Sequence, residues 1–205
     1  MTMHTGKQRD KASGTSLFRA FLRHPGQIGA LCPSSPALCD MITSEINIDR
    51  AGVVVELGPG TGVITRCIAA KVKPDARVLS IELDPEFHAA LQGRYANVEV
   101  CLDSAGNLVS ILAARRLQAA DAVISGLPWA AFPAALQTEI LDAVVAGLAP
   151  GGCFTTFAYL QGLPLPAGRR FRRLLNQRFS EVSLSPVVWR NFPPAVVYRC
   201  RAPRR

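Results

Sequence analysis

The sequence predicts an α/β fold: a doubly wound, mostly parallel seven-stranded sheet that ends in an antiparallel strand pair. Three observations carry this reading. From Ala51 onward, short apolar runs alternate with helix-length segments, the pattern of parallel strands joined by helical crossovers. The first run opens directly into a glycine-rich turn, LGPGTG, at 57–62. Near the C-terminus, two β-like segments flank Asn191-Phe192-Pro193-Pro194, close enough to pair antiparallel.

Taken in order, VVVEL (53–57) reads as a buried strand, and a helix runs from about Thr61 to Lys71. RVLSIEL (77–83) is a second strand, followed by a helix that opens at Pro85, a favoured first-turn residue. VEVCL (98–102) and DAVIS (121–125) are the third and fourth strands. A helix over 133–147 closes at Pro150-Gly151-Gly152, and CFTTFAY (153–159) is the fifth strand. An arginine-rich helix covers 169–178, and SEVSLSPVVWR and AVVYRCR form the terminal pair.

The segments before Ala51 differ in kind. Residues 1–15 are polar and basic and read as a disordered tail. SLFRAFLRH (16–24) reads as a short helix stopped by Pro25, with Leu17, Phe18, Phe21 and Leu22 on one face and Arg19 and Arg23 on another. Such an amphipathic helix either packs on its own domain or lies in a membrane interface, and the basic residues upstream favour the membrane. The expected organisation is a tail (1–15), a helical segment serving as membrane contact and lid (16–50) and one domain (51–205).

Composition bounds the function. The chain has 205 residues, 49% hydrophobic and 19% charged, which suits one domain with a substantial core. It contains no apolar run long enough to span a membrane and no signal-peptide core, so neither a transmembrane helix nor secretion is expected. None of the six cysteines forms a CxxC, so they read as buried hydrophobes in a reducing cytosol, with no metal site and no disulfide framework. The net charge is +8 and unevenly spread: residues 169–205 hold ten arginines against Glu181 alone, and residues 1–25 hold five basic residues against Asp10. Basic ends around an acidic centre suit an anionic surface, either nucleic acid or lipid headgroups.

The glycine turn and two acids carry the chemistry. Glu56, Gly58, Gly60 and Gly62 recur at two-residue intervals between a strand and a helix. The turn lacks the Gly-Lys-Ser/Thr of a phosphate-binding P-loop. It also lacks the third small residue of a dinucleotide fingerprint, since Val63 stands there. S-adenosylmethionine is the third option: its carboxylate suits free N–H groups at a helix start, and its cationic groups suit nearby acids. Glu82 ends the second strand, where a carboxylate can accept ribose hydroxyls. Asp103 ends the third strand and can accept from the adenine amino group beside Ser104. Each acid alone reads equally well as a helix cap; the ordered set is far more specific.

This set resembles the class I S-adenosylmethionine-dependent methyltransferases over roughly residues 51–160, a Rossmann-like fold. The resemblance implies cofactor contacts at Glu56, Gly58, Gly60, Thr61, Gly62, Glu82, Leu83, Asp103 and Ser104. The fourth strand then leads into Ser125-Gly126-Leu127-Pro128-Trp129. Methyltransferases of adenine or glutamine amino groups carry Asn or Asp before Pro-Pro-Tyr or Leu-Pro-Tyr at this corner. Here Leu-Pro-aromatic is kept but the Asn is missing. Ribosomal RNA adenine dimethylases are therefore similar in outline only.

Over nearly its whole length the chain is similar to the bacterial phospholipid N-methyltransferases. The matching features, in order, are the basic amphipathic helix, Gly29-Ala30-Leu31-Cys32-Pro33-Ser34-Ser35, the Glu-Leu-Gly-Pro-Gly-Thr-Gly loop, the Ser-Gly-Leu-Pro corner and Asn191-Phe192-Pro193-Pro194-Ala195. The resemblance implies stepwise methylation of phosphatidylethanolamine, through mono- and dimethyl forms, toward phosphatidylcholine. It further implies an enzyme bound peripherally to the anionic inner face of the cytoplasmic membrane, with no nucleic-acid or metal partner. The alternative is an RNA adenine or protein amide N-methyltransferase that uses its arginines for phosphates. A non-catalytic lipid-binding module would leave the glycine loop and both acids without purpose.

On this reading the acceptor sits at Ser125 and Gly126, the glycine leaving room for a tetrahedral ammonium. Leu127, Pro128 and Trp129 form its wall, and Trp129 offers either a cation–π face or packing beside Phe132. Tyr159 either orients the amine or is an ordinary strand aromatic. Arg190 or the arginines at 169–173 hold the lipid phosphate. Asn191 shapes the pocket floor or belongs to a plain hairpin. Ser34 and Ser35 lie over the cofactor or cap a helix.

Overall fold

A computed structural model describes residues 34–44 and 46–204. The elements in chain order are α1 (Pro36–Ser44), β1 (Val53–Leu57), α2 (Val63–Lys71), β2 (Arg77–Glu82), α3 (Pro85–Leu91), β3 (Val98–Leu102), α4 (Leu108–Ala114), β4 (Ala120–Ser125), α5 (Ala134–Gly147), β5 (Leu148–Tyr159), α6 (Pro166–Arg178), β6 (Phe179–Leu184) and β7 (Ala195–Pro203). The seven strands form one sheet in the order β3-β2-β1-β4-β5-β7-β6. The first five run parallel, and β7 lies antiparallel between β5 and β6. The fold class read from the sequence is the one observed.

Period-two alternation explains the two layers. Val54, Ala122, Cys153 and Val197 face one core, where Leu38 and Ile42 of α1 and Ile64 and Ile68 of α2 cover them. Val55, Val123, Phe154 and Tyr198, their immediate neighbours in sequence, face the other core beneath α4, α5 and α6. Because both faces are covered, the strands carry apolar residues on both sides and read as continuous runs. Strand order reverses between β1 and β4. That reversal opens a crevice at the carboxyl ends of β1, β2 and β4, where sheets of this kind bind ligands.

Several boundaries differ from the sequence reading. α2 starts at Val63 because Gly62 still has a left-handed φ of 83°. β5 begins at Leu148, which pairs with Ala120. Pro150-Gly151-Gly152 then forms a register shift before Cys153 pairs with Ala122, so this motif interrupts a strand as well as following a helix. β6 ends at Leu184, and Val188 makes only an isolated bridge to Ala195. Helix α4 (LVSILAA) was not expected, because a seven-residue apolar run has no clear helical period. The expected helix over 16–24, with Leu17, Phe18, Arg19, Phe21, Leu22 and Arg23, lies outside the described residues. Among the described residues, no helix is long and apolar enough to cross a membrane.

Candidate active site

The crevice is built from the loop outward. Gly58 donates its N–H to Ile81 O (2.9 Å) and has a φ of 70°. A Cβ there would lie 2.5 Å from Leu127 Cδ2. Across from it, Gly126 N–H donates to Leu57 O (2.9 Å), and a Cβ on Gly126 would lie 2.7 Å from Gly58 O. The glycine loop and the corner after β4 therefore touch backbone to backbone, which only glycine permits on both sides. This corrects the expected role of Gly126. Its missing side chain admits the cofactor loop rather than leaving room for an ammonium group.

Glu82 organises the floor. Oε2 accepts from Gly60 N–H (3.0 Å), and Oε1 accepts from Leu83 N–H (2.8 Å) and Asp84 N–H (2.9 Å). A carboxylate offers about four lone-pair sites. With three backbone bonds made, one acceptor site is left on Oε2, so it takes a single hydroxyl unless Gly60 lets go. Burial pushes the Glu82 pKa up, and the three N–H donors oppose that shift. Asp84, which sequence reasoning did not single out, is buried and caps α3 by accepting from Glu86 N–H (2.8 Å). Its signal in the sequence was the Asp-Pro pair at the helix start.

Glu56 lies deeper, at the end of β1, and is 0% exposed. Its Oε2 accepts from Ser80 Oγ at 2.6 Å, a hydroxyl placed directly across the β1–β2 register. The Thr65 hydroxyl lies close enough to hold the pKa down in part but outside hydrogen-bonding geometry, so Oε1 has no hydrogen-bond partner among the described residues. Burial dominates and pushes the Glu56 pKa up to about 7. At the third strand end, Asp103 Oδ1 accepts from Ser104 N–H (2.6 Å) and Asn107 Nδ2 (2.7 Å), leaving Oδ2 for a ligand. These features fit S-adenosylmethionine. An orphaned buried carboxylate oxygen suits a cationic ligand. Space is open at Gly60, where an added Cβ would meet nothing within 4 Å. Glu82 and Asp103 keep free acceptors at the carboxyl ends of β2 and β3, on the side of the sheet next to the topological switch point. Thr61 is exposed in the same turn.

The corner expected to hold the acceptor is heavily committed to structure. Ser125 is fully buried; its Oγ accepts from Leu127 N–H (3.2 Å) and Trp129 Nε1 (3.0 Å), and its carbonyl accepts from Thr156 Oγ1 (3.1 Å). Trp129 is 2% exposed and stacks on Phe171 at 4.8 Å, with Phe154 and Phe132 at its other sides. The structure thus corrects the cation–π expectation: Trp129 is a core anchor whose ring is already packed. Leu127 is buried against Gly58, and Pro128 is half-buried.

Tyr159 ends β5 opposite Ala195, half-buried and edge-on to Phe157, at the same end of the sheet as the glycine loop. Ser35 Oγ accepts from Leu38 N–H (3.2 Å) at the start of α1, the capping role among its two expected ones. Ser34, beside it, is half-buried. Asn191 is buried; its Oδ1 accepts from Ser35 N–H (2.9 Å) and its Nδ2 donates to Pro193 O (2.7 Å). Both ends of that carboxamide are used by backbone, which corrects its expected substrate contact to a staple between α1 and the β6–β7 turn. Arg190 is exposed on that turn.

Comparisons with known proteins decide the family. The family model of ribosomal RNA adenine dimethylase matches residues 34–104. That span holds the glycine loop, Glu82 and Asp103 and stops before the corner at 125–129. A lipid methyltransferase matches far more of the chain: the "Ornithine lipid N-methyltransferase" of Singulisphaera acidiphila is 41% identical over 186 residues, 88% of this chain and 92% of that protein. The chain belongs to the family of this lipid N-methyltransferase. It is an S-adenosylmethionine-dependent methyltransferase of class I. A "Dimethyladenosine transferase" of Chaetomium thermophilum is 29% identical over 60% of the chain and only 30% of its own length. The solved structure of the N-methyltransferase NodS from Bradyrhizobium japonicum in complex with S-adenosyl-L-homocysteine superposes with a TM-score of 0.63. It covers 92% of this chain and 99% of that one at 14% identity, which is a likeness of fold.

Proposed function

We propose that this methyltransferase modifies the headgroup amine of a membrane lipid, working peripherally at an anionic membrane surface. Phosphatidylethanolamine is the proposed acceptor, methylated stepwise toward phosphatidylcholine. One observation carries the lipid reading: identity to a lipid N-methyltransferase spans 88% of this chain and 92% of that protein, whereas the ribosomal RNA adenine dimethylase model matches only residues 34–104 and the dimethyladenosine transferase is matched over only 30% of its own length. The name of that relative makes an ornithine lipid the second candidate acceptor.

When bound, S-adenosylmethionine supplies an activated methyl group. The chain's own part is to bind, orient and exclude water. Glu82 and Asp103 hold hydroxyl and amino groups, and buried Glu56 favours a cationic ligand. The acceptor amine must be neutral to attack, although an alkyl amine ordinarily has a pKa of ~10.4. Desolvation in the crevice lowers it. Ser125 is unsuited to receive the proton, since its hydroxyl and carbonyl are both engaged in the fold. Tyr159 is the proposed orienting hydroxyl.

The test is incubation of the purified protein with labelled S-adenosylmethionine and liposomes of phosphatidylethanolamine or ornithine lipid, beside an RNA control. Label in phosphatidylethanolamine and its mono- and dimethyl forms is expected. Label in ornithine lipid alone would move the acceptor to that class, and label in RNA alone would overturn the lipid reading.

A further inference from the structure

We propose that the turn between β6 and β7, residues 185–194, is a membrane-inserting element. In this proposal the rings of Trp189 and Phe192 enter the boundary between headgroups and acyl chains of an anionic bilayer, and Arg190 and Arg169 take lipid phosphates. The proposal rests on the lipid-amine reading above and adds the surface by which the enzyme meets its substrate.

Exposure is the first observation. Trp189 is 69% and Phe192 79% exposed, and among the described residues they are the two aromatic side chains in the set of exposed large hydrophobics. Large exposed aromatics are costly in water and mark contact surfaces. Tryptophan beside arginine is the composition that membrane interfaces favour.

The second observation is that this turn is held at its base. Val188 is buried and donates its N–H to Ala195 O at 2.8 Å. Asn191 is buried and ties Ser35 N–H to Pro193 O. Trp189 and Arg190 lie between these two anchors, and Phe192 follows the second. The rings are presented from a fixed frame, so little ordering entropy is lost on insertion.

Topology supplies the third. Tyr159 pairs with Ala195, and Leu160 N–H donates to Pro194 O at 2.8 Å. The turn therefore sits at the carboxyl end of the sheet, the end that carries the glycine loop, Glu82 and Ser125. A lipid keeps its acyl chains in the bilayer while its headgroup reaches the crevice, so this end must face the membrane. Leu165 is 55% exposed just before α6 at the same end, and Arg169 follows in the first turns of that helix. Arg169 and Arg190 make no ion pair among the described residues. Their charge complements lipid phosphate, which arginine recognises well.

The experiment uses tryptophan fluorescence of the full chain. Trp129 is buried in the core, so Trp189 reports the surface. Vesicles of phosphatidylethanolamine and phosphatidylglycerol with brominated acyl chains are expected to quench the wild-type emission and to leave Trp189→Phe unquenched. Trp189→Ser combined with Phe192→Ser is expected to weaken vesicle binding roughly a hundredfold, since burial of each ring contributes roughly a factor of ten. Cofactor affinity of this double variant should match wild type, which shows that it folds.

Wild-type affinity of the double variant for vesicles would overturn the proposal. So would vesicle binding without quenching, or no vesicle binding at all. If the double substitution instead turned a dimer into a monomer with vesicle affinity unchanged, a second copy would be the partner. Methylation of the same lipids in detergent micelles separates the two readings. Methylated lipid with an unquenched Trp189 would leave the lipid reading standing and remove insertion, whereas absence of lipid methylation would count against the acceptor and leave quenching to judge insertion.

Discussion

Glu56 shows how one buried carboxylate couples stability to pH. Its pKa rises from the ordinary 4.5 to about 7 because burial penalises the charged form more than Ser80 and Thr65 relieve it. The folded state thus holds the proton more tightly than the unfolded chain. The resulting stability is fully present below about pH 4.5 and is lost as pH rises through 7, on the order of 3 kcal/mol in all. Glu56→Gln, which cannot ionise, is expected to flatten this loss, measured by urea unfolding at a series of pH values between 5 and 8. Identical pH dependence in both proteins would remove Glu56 as its source. Tyr159 carries the other prediction at this scale. Tyr159→Phe should slow every methylation step about tenfold or more without changing cofactor affinity, because it removes the proposed orienting contact. Equal rates would leave Tyr159 as an ordinary strand aromatic.

At the scale of elements, the contact between the glycine loop and the corner after β4 is decisive. Gly126→Ala places a methyl carbon 2.7 Å from Gly58 O, a backbone atom that cannot rotate away. The two turns must separate, at a loss of roughly 1–3 kcal/mol as for other overpacked sites. Cofactor affinity should fall with it, because Gly58 and Gly60 belong to the same turn. Calorimetric titration with S-adenosyl-L-homocysteine measures this, and wild-type affinity in Gly126→Ala would show that the corner moves independently. The corner also shows where sequence reading stopped. ISGLPW was legible as the corner that follows the fourth strand. That Trp129 stacks on Phe171 depends on a helix more than forty residues further along. No local pattern signals such a contact. Asn191 was similarly opaque, since its partner Ser35 lies 156 residues away.

For the whole molecule, charge is the governing feature. The basic segment from 169 onward includes α6, whose Arg169, Arg170, Arg172 and Arg173 are exposed. Binding to anionic vesicles should therefore weaken as salt rises, by screening over about 10 Å at 0.1 M. Deletion of residues 1–24 is expected to reduce vesicle binding more than cofactor affinity, measured by co-sedimentation and titration side by side. Unchanged vesicle binding in the truncated chain would assign the whole membrane contact to the rest of the protein.

The sequence by itself determined the alternation of strands and helices, the parallel core and the order of acids at the strand ends. These are local signals: apolar runs, a glycine turn and carboxylates at strand ends, each readable within a few residues. The tertiary structure decided which polar groups remain available for chemistry. The Ser125 carbonyl is taken by Thr156, the Trp129 ring by Phe171 and the Asn191 Oδ1 by Ser35, Glu82 keeps one acceptor of four, and Trp189 and Phe192 are left facing outward. Hydrogen-bond satisfaction and packing in a close-packed interior are set by residues far apart in the chain, so they appear only once the chain is folded.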